Sequence, residues 1–254
     1  RITFQPARAE SPSSRREPHH LPAGVRRIIF QPACAGVAPP NDMTAPAFDD
    51  PAGTWNRRFS APGFLFGTAP NRWLERHALT TAGWRAGQRV LSVADGEGRN
   101  SAWLAAQGLE VDAFDLAEVG VAKARALAAE RGVRVHYEVA DADRRAWPEA
   151  RYDGVAAIFV QFADPPMRAR MFANLARCLA PGGTLVLQGY TPRQLEYRTG
   201  GPPFVDHLYT PALLREAFAA LEILALDEYE DDLAEGEGHH GRSALLGLVA
   251  RKRR

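Results

Sequence analysis

The sequence predicts an α/β fold with a doubly wound, seven-stranded sheet covered by helices on both faces. Three observations predict it. Short apolar runs recur along the chain, helix-sized segments separate the first five runs, and no helical pattern separates the last two. Alternation of strand and helix is typical of a parallel sheet. The last two strands are therefore expected to pair as an antiparallel hairpin.

The predicted strands are short and mostly apolar, as expected for strands that helices cover on both faces. The five parallel strands come first and the two hairpin strands last. In chain order they cover residues 89–94, 109–114, 134–139, 154–160, 184–188, 221–226 and 243–250. An acidic loop that contains glycine is expected between the two hairpin strands.

The helices between these strands have recognisable ends. Residues 117–131 place small apolar side chains on one stripe, and Gly132 ends that helix. Asp164 precedes two prolines, which is typical of an N-cap and the first helical turn. A short helix is expected at 211–219, directly before the hairpin.

Composition limits the classes of function. The chain has 254 residues, of which 46% are hydrophobic, enough for one sizeable core. A formal net charge of +1 gives no attraction for nucleic acid or for an acidic membrane surface. Two cysteines argue against a disulfide scaffold and a multi-cysteine zinc module. We expect a cytoplasmic protein, a monomer or weak dimer, with no membrane or nucleic-acid partner.

The first 42 residues differ in composition from the rest. They hold seven of the 19 prolines and show neither helical nor strand periodicity. We interpret 1–42 as a disordered tail or an upstream-translated segment, with an Arg-rich transit peptide as the alternative. The working domain is then expected to cover 43–254, beginning at Met43.

A glycine-rich turn follows the first predicted strand and precedes a helix. Gly96 and Gly98 allow a tight turn and a close approach of the backbone to a ligand. Asp115 lies 17 residues after Gly98, at the end of the second strand. A carboxylate at that place can accept both hydroxyls of a ribose. The pattern therefore predicts a nucleoside-binding site.

The residues in and beside the turn favour one nucleoside ligand. A dinucleotide fingerprint ends in glycine or alanine, whereas Ser101 stands here. Asp95 and Glu97 would repel a pyrophosphate but suit the ammonium and sulfonium of S-adenosylmethionine (SAM). The electrostatics favour SAM as the cofactor, with a nicotinamide dinucleotide as the alternative.

Four segments carry a family resemblance: DGEGRNSAWLA at 95–105, AFDLAEVGVAKAR at 113–125, VADAD at 139–143 and LAPGGTLVLQGYTP at 179–192. With them, residues 55–251 resemble the class I SAM-dependent methyltransferases, and in particular the bacterial small-molecule branch of tellurite-resistance and thiopurine methyltransferase-like enzymes. The resemblance implies a Rossmann-like sheet of strand order 3-2-1-4-5-7-6.

The resemblance also implies which residues contact the cofactor. Asp141 would meet the adenine amino group, and an aromatic residue from the chain before the first strand, Trp55 or Phe66, would lie against the sulfonium. The expected cofactor-binding residues are Trp55, Phe66, Ser92, Ala94, Asp95, Gly96, Gly98, Asn100, Asp115, Leu116, Asp141, Ala142 and Phe159.

The sequence departs from the family pattern at two positions. The family usually has an acid at the end of the first strand and a glycine two residues later, where this chain has Ser92 and Ala94. Ser92 supplies no charge for the SAM ammonium. We expect Asp95 or Glu97 to take that role.

Candidate substrate contacts follow the fourth and fifth strands and the hairpin. They are Gln161, Tyr190, Arg193 and His239. His239 and its neighbour His240 are expected in an exposed loop, where either could act as a base. With no further His or Cys nearby, the pair does not indicate a metal site.

These observations predict methyl transfer from SAM to a small nucleophilic acceptor. A thiol, a thiopurine or a metalloid oxyanion is favoured, because a soft acceptor needs no strong base and no residue is identified as one. The alternatives are a non-catalytic SAM-binding regulatory protein, an NAD-dependent oxidoreductase and a nucleic-acid methyltransferase. The net charge of +1 disfavours the last of these, because nucleic-acid binding needs an excess of positive charge.

Overall fold

The computed structural model describes residues 50–254. The interpretation of 1–42 and the expected start at Met43 lie outside the described residues. Among residues 50–254, no helix combines the length and apolar character needed to cross a membrane.

One seven-stranded sheet organises the described chain, with the order β3-β2-β1-β4-β5-β7-β6, so the expected topology is confirmed. The first five strands pair in parallel, and β7 pairs antiparallel with both β5 and β6. The strands are β1 (Arg89–Val93), β2 (Glu110–Asp115), β3 (Val135–Val139), β4 (Tyr152–Ile158), β5 (Leu179–Tyr190), β6 (Leu221–Glu235) and β7 (His239–Lys252).

Between residues 50 and 254, seven α-helices and one 3₁₀ turn (Val205–His207) connect and cover these strands. Asp164 accepts a hydrogen bond from the Met167 backbone N–H at 2.8 Å, so the expected N-cap is confirmed. The helices are α1 (Pro51–Phe59), α2 (Arg72–His77), α3 (Arg99–Ala106), α4 (Glu118–Glu130), α5 (Pro165–Cys178), α6 (Gln194–Tyr197) and α7 (Pro211–Ala217).

The hairpin differs from the prediction. The acidic segment expected to be a loop is the second half of β6, and only residues 236–238 connect it to β7. Six of the nine residues at 227–235 are acidic, and they occur on both faces of β6, which is the edge strand of the sheet. Alternation of apolar and polar residues therefore does not mark this half of the strand. The prediction of an acidic loop was therefore wrong, and the hairpin is long enough to reach past the sheet.

The core lies on both faces of the sheet. On one face the Trp84 ring lies where a Cβ of Gly154 would be, and the Trp73 ring lies likewise against Gly247. On the other face, Phe172 and Leu175 of α5 pack in the larger apolar cluster. This packing leaves the carboxyl ends of the parallel strands open, where ligands bind in sheets of this type.

Candidate functional site

A cavity of about 300 Å³ opens at the carboxyl ends of β1, β2 and β4. Twelve of the residues selected from the sequence line it, although they come from separate parts of the chain. These are Trp55, Phe66, Ala94, Asp95, Gly96, Asn100, Asp115, Leu116, Asp141, Ala142, Phe159 and His239.

Asp115 ends β2 and lines the cavity. Its Oδ2 accepts a hydrogen bond from the Gly96 N–H at 2.8 Å, and its Oδ1 accepts one from the Ala117 N–H at 2.9 Å. Burial raises the pKa of the Asp115 carboxyl, and the backbone N–H groups oppose that shift. Each oxygen keeps one lone pair, so the fixed carboxylate can accept a pair of hydroxyls.

Asp95 also lines the cavity and is held by hydroxyl groups. Ser92 donates to its Oδ1 at 2.6 Å, and the Ser101 hydroxyl donates to its Oδ2. Burial raises the pKa of Asp95 to about 6, against these hydrogen bonds and with the support of the nearby Asp115 charge. Among the described residues, neither Asp95 nor Asp115 forms an ion pair. The cavity therefore has two buried carboxyls and no cation against them.

Two residues on the cavity wall have a left-handed backbone without being glycine. Ala94 follows β1 with a φ of 48°, and Phe159 follows β4 with a φ of 54°. Such conformations cost about 1 kcal/mol or more each and persist where the surrounding fold imposes them. The strain falls at the two strand ends that face the cavity.

The glycines of the turn have different roles. Gly96 has a φ of 59° and lines the cavity. Gly98 has a φ of 91°, and a Cβ there would lie 2.6 Å from the Ala124 Cβ of α4. Gly98 therefore lets the turn pack against a helix, and it does not line the cavity.

Glu97 faces away from the cavity. Its Oε2 accepts a hydrogen bond from the Leu65 N–H at 2.7 Å, and its Oε1 lies 2.9 Å from the Lys123 Nζ. These partners hold the entry segment, residues 60–70, against α4. Of the two acids expected to meet an ammonium, the structure therefore places only Asp95 at the cavity.

Aromatic side chains from α1 and the entry segment form one wall. The Trp55 and Phe59 rings stack with centroids 5.3 Å apart, and Phe66 lies 6.2 Å from each. The Arg58 guanidinium lies 4.5 Å from the Trp55 ring centroid, on the same helix. This wall can exclude water and accept a cation against its ring faces.

The hairpin tip continues this wall. His239 begins β7, is only 9% exposed, and lies with its ring centroid 4.4 Å from Phe66 and 4.2 Å from Phe159. The expectation of an exposed loop was wrong for His239, because strand alternation turns it inward and leaves His240 exposed.

A buried polar cluster supports this wall. Arg99 donates to Glu235 Oε2 at 2.7 Å and to the Phe66 carbonyl at 3.1 Å. The Asn71 side chain donates to Glu235 Oε1 at 3.1 Å. The pair of Arg99 and Glu235 is more than nine-tenths buried, so the cluster fixes the hairpin tip against the entry segment and α3.

Five of the selected residues do not line the cavity. Apart from Gly98, they are Ser92, Gln161, Tyr190 and Arg193. The amide of Gln161 donates to the Tyr190 and His207 carbonyls, which joins β4 to the loop after β5. Tyr190 is buried beneath Phe159, and Arg193 pairs with Glu230 on the surface at 2.5 Å. In the structure, these side chains therefore contact other parts of the protein and do not reach the cavity.

Other lining residues were not selected from the sequence. Pro51, Phe59, Phe114, Ala140, Ile158, Phe162 and Met167 are apolar, and Arg99, Asp143 and Arg144 are charged. Arg99 lies in the GEGRN turn, which could have singled it out, whereas the apolar residues carry no local signal. Within residues 50–254, no group of three or more His, Cys, Asp or Glu side chains could hold a metal ion.

The residues present fit SAM. Its ammonium and sulfonium would supply the positive charge that the two buried carboxyls lack, and the aromatic wall suits a sulfonium. A pyrophosphate would meet Asp95 and Asp115 as like charges, which disfavours a dinucleotide.

Comparison with known proteins indicates the methyltransferases. The model of a family described as a methyltransferase domain matches residues 90–183. The demethylmenaquinone methyltransferase of Beutenbergia cavernae is 30% identical over 208 residues, which cover 82% of this chain and 81% of that protein. An uncharacterized protein of Mycobacterium tuberculosis is 35% identical over 115 residues, 45% of this chain, which spans only 41% of that relative's length.

Solved structures share the fold. A structure described as the conversion of a disulfide bond into a thioacetal group during echinomycin biosynthesis has a TM-score of 0.64 at 20% identity, covering 80% of this chain and 92% of that one. A SAM-dependent methyltransferase of Methanosarcina mazei has a TM-score of 0.58 at 18% identity, covering 73% and 99%. By its sheet, its cavity and its relatives, this chain belongs to the class I SAM-dependent methyltransferases.

Proposed function

We propose that this protein transfers a methyl group from SAM to a small nucleophilic acceptor. The observation that carries the proposal is the pair of buried carboxyls, Asp95 and Asp115, that face the cavity without a cation. The ammonium of SAM would compensate the Asp95 charge and its ribose hydroxyls would donate to Asp115, whereas an anionic pyrophosphate would be repelled by both carboxylates.

The selected residues that line the cavity have proposed roles toward SAM. The Asp115 carboxylate would accept the ribose hydroxyls, because its backbone donors fix its orientation. Asp95 would face the ammonium, and Asp141 would accept from the adenine amino group. Trp55 and Phe66 would lie on the sulfonium side, with Leu116, Ala142, Asn100 and Phe159 completing the contacts.

Little covalent chemistry falls to the protein. SAM supplies a methyl carbon that its sulfonium already activates toward displacement. The chain has to align the acceptor with that carbon and exclude water, which the aromatic wall and the hairpin tip do.

The acceptor classes expected from the sequence are thiols, thiopurines and metalloid oxyanions. An oxyanion would need a free cation, but both arginines that line the cavity have a carboxylate beside them. Arg99 is paired with Glu235, and the Arg144 side chain lies 3.6 Å from Asp141. The remaining wall is aromatic and apolar. These observations favour a flat organic acceptor, such as a thiopurine, over a metalloid.

A quinone-type ring is a second candidate acceptor. The relative from Beutenbergia cavernae is named for demethylmenaquinone, and it matches over 82% of this chain. The aromatic wall suits that ring as well as a thiopurine. We further propose a cytoplasmic enzyme whose domain covers 43–254 and which acts without nucleic acid.

Calorimetric titration of the full chain with S-adenosylhomocysteine tests the cofactor site. We expect micromolar binding, weakened about 100-fold in Asp115→Ala because two charged hydrogen bonds are lost. Glu110→Gln, on the exposed start of the same strand, is the matched control and should bind like the wild type.

The outcomes separate the candidate functions. NAD binding in place of S-adenosylhomocysteine would replace the proposal with an oxidoreductase. Binding without turnover on thiols, thiopurines and demethylmenaquinone would favour a regulatory SAM-binding protein. Asp115→Asn keeps the side-chain shape, so its melting temperature shows whether a loss of binding comes from a loss of folding.

A further inference from the structure

The hairpin tip brings an imidazole to the cavity beside a fixed carboxylate. His239 lines the cavity between the Phe66 and Phe159 rings, and its Nδ1 lies 3.7 Å from Glu235 Oε2. That Nδ1 is buried and has no hydrogen-bond partner. An unpaired buried nitrogen is costly, so its retention here needs a reason.

Glu235 cannot turn away from the imidazole. Arg99 and Asn71 donate to its two oxygens at 2.7 and 3.1 Å, and the Arg72 backbone N–H donates to Oε1 at 3.3 Å. Since three separate donors hold it, the carboxylate behaves as a fixed partner. A small rotation of the imidazole that moves Nδ1 a few tenths of an ångström toward Glu235 would form a hydrogen bond between them.

The position of Nδ1 determines which edge of the ring is free. With Nδ1 buried toward Glu235, the opposite edge, which carries Nε2, is the one that a ligand in the cavity can contact. His240 follows on the other face of β7 and is exposed, so only one histidine of the pair is available there.

We propose that His239 is the general base of the methyl transfer and that Glu235 positions it. The acceptor would be an aromatic ring that carries an acidic thiol or hydroxyl group. This inference rests on the proposed function, which supplies the methyl donor.

The proposed step balances. In an acceptor that still holds its proton, the S–H or O–H bond breaks and the proton moves to Nε2 of His239, while the electron pair left on sulfur or oxygen attacks the methyl carbon. The bond from that carbon to the sulfonium breaks, and its electrons neutralise the sulfur. The imidazolium that forms lies against the Glu235 carboxylate, which stabilises it.

The charged groups around His239 agree with this role. Burial lowers the pKa of His239 to about 4, with Arg99 and Arg58 in support and Glu235 in opposition; Tyr190 is the remaining titratable group against the ring. Burial by itself raises the pKa of Glu235, but His239 and Arg99 outweigh it and bring that pKa to about 2. At pH 7 the imidazole is therefore neutral and able to take a proton. As a weak base it suits an acidic acceptor.

The test uses 4-nitrophenol and 4-nitrothiophenol as acceptors, with radiolabelled SAM and the full-length protein. With 4-nitrophenol at pH 6, where the acceptor holds its proton, His239→Gln should lower kcat about 100-fold or more. At pH 9 the phenol is ionised, and the defect should shrink to a few-fold. The thiol, ionised at both pH values, should show only that small defect. His240→Gln, the adjacent exposed histidine, should match the wild type throughout.

Each outcome decides the matter. An equal defect at both pH values would show a structural role for His239 and overturn the inference. Wild-type protein that binds S-adenosylhomocysteine but methylates neither ring would overturn the proposed acceptor class. Failure to bind S-adenosylhomocysteine would instead remove the proposed function. In Glu235→Gln, the acid limb of kcat against pH should move to lower pH, because loss of the carboxylate disfavours the imidazolium.

Discussion

The two walls of the cavity are built in different ways. The near wall comes from two segments that are close in sequence, the turn at 94–98 and the end of β2 at 114–117, and Gly96 donates to Asp115 where they meet. The far wall joins α1, the entry segment, α3 and the hairpin tip, and Arg99 and Glu235 in it are 136 residues apart. The near wall leaves two carboxyls without cations, whereas the far wall pairs its buried charges. The near wall can therefore bind a positively charged ligand, whereas the buried ion pair of the far wall holds its segments together.

The far wall should be the more fragile. Arg99→Ala leaves Glu235 ionised and buried without its cation, and we expect a loss of about 3–5 kcal/mol in the free energy of unfolding. Arg72→Ala removes a half-exposed pair with Asp231 and should cost less than about 1 kcal/mol. Urea unfolding of both variants measures the difference. Equal losses would mean that the buried pair does not support the wall.

The Asp95 carboxyl of the near wall should make SAM binding depend on pH. Asp95 has a pKa of about 6 in the ligand-free protein, and a bound ammonium needs the ionised form. SAM affinity should therefore fall about tenfold for each pH unit below 6, and Asp95→Asn should remove that dependence. Calorimetry between pH 5 and 8 measures it. A flat wild-type profile would place the ammonium elsewhere.

The raised pKa of Asp95 also determines how its contribution to the free energy of unfolding changes with pH. Because its pKa is raised from 3.8 to about 6, the folded protein keeps a proton that the unfolded chain has released in this interval. The contribution of Asp95 to stability therefore falls as the pH rises through this interval, by about 3 kcal/mol in total. Urea unfolding should show a smaller fall in Asp95→Asn. The reverse sign would contradict the assigned burial.

The contact between the two walls can be weakened separately. Glu97→Gln keeps an acceptor for the Leu65 N–H but loses the charge that faces Lys123. We expect a loss of about 1 kcal/mol and S-adenosylhomocysteine affinity reduced about threefold, because Phe66 follows Leu65 in the entry segment. Glu110→Gln, which loses an exposed pair with Arg89, should change neither quantity. Unchanged affinity in Glu97→Gln would show that the entry segment is held by its rings alone.

The smallest expected effect is a gain. Ala94→Gly relieves the left-handed backbone at the end of β1 and should stabilise the protein by about 1 kcal/mol. Ala102→Gly, inside α3, makes the same chemical change in a helix and should destabilise by about 1 kcal/mol or more. Thermal unfolding of the two variants should move in opposite directions. A shift of the same sign would mean that Ala94 is not strained.

The sequence was informative about features formed by residues close together in the chain. Alternation of strand and helix predicted the sheet, and Asp115 follows the turn closely enough in sequence to be expected beside it, where the Gly96 N–H donates to its carboxylate. It was uninformative where distant segments meet. Nothing near Glu235 indicates Arg99 as its partner, and a polar edge strand resembles a loop, so neither the buried pair nor the inward face of His239 was predicted. Gln161 was selected for its place at a strand end, but spacing does not show that its amide turns toward backbone groups.

The latch between the entry segment and the hairpin tip, where the Gly238 N–H donates to the Leu65 carbonyl at 2.9 Å, also bears on synthesis at the ribosome. The turn after β1 and the end of β2 emerge early, but residues 235–239 follow more than 100 residues later. Domains fold from the N-terminal side as they are made. A nascent or truncated chain that lacks the hairpin would have the carboxyls of the near wall, but its far wall would lack the hairpin tip and Glu235 and could not close against water. Such a fragment would catalyse methyl transfer to bystander molecules poorly, because the acceptor and the methyl group are aligned only once the last two strands are in place.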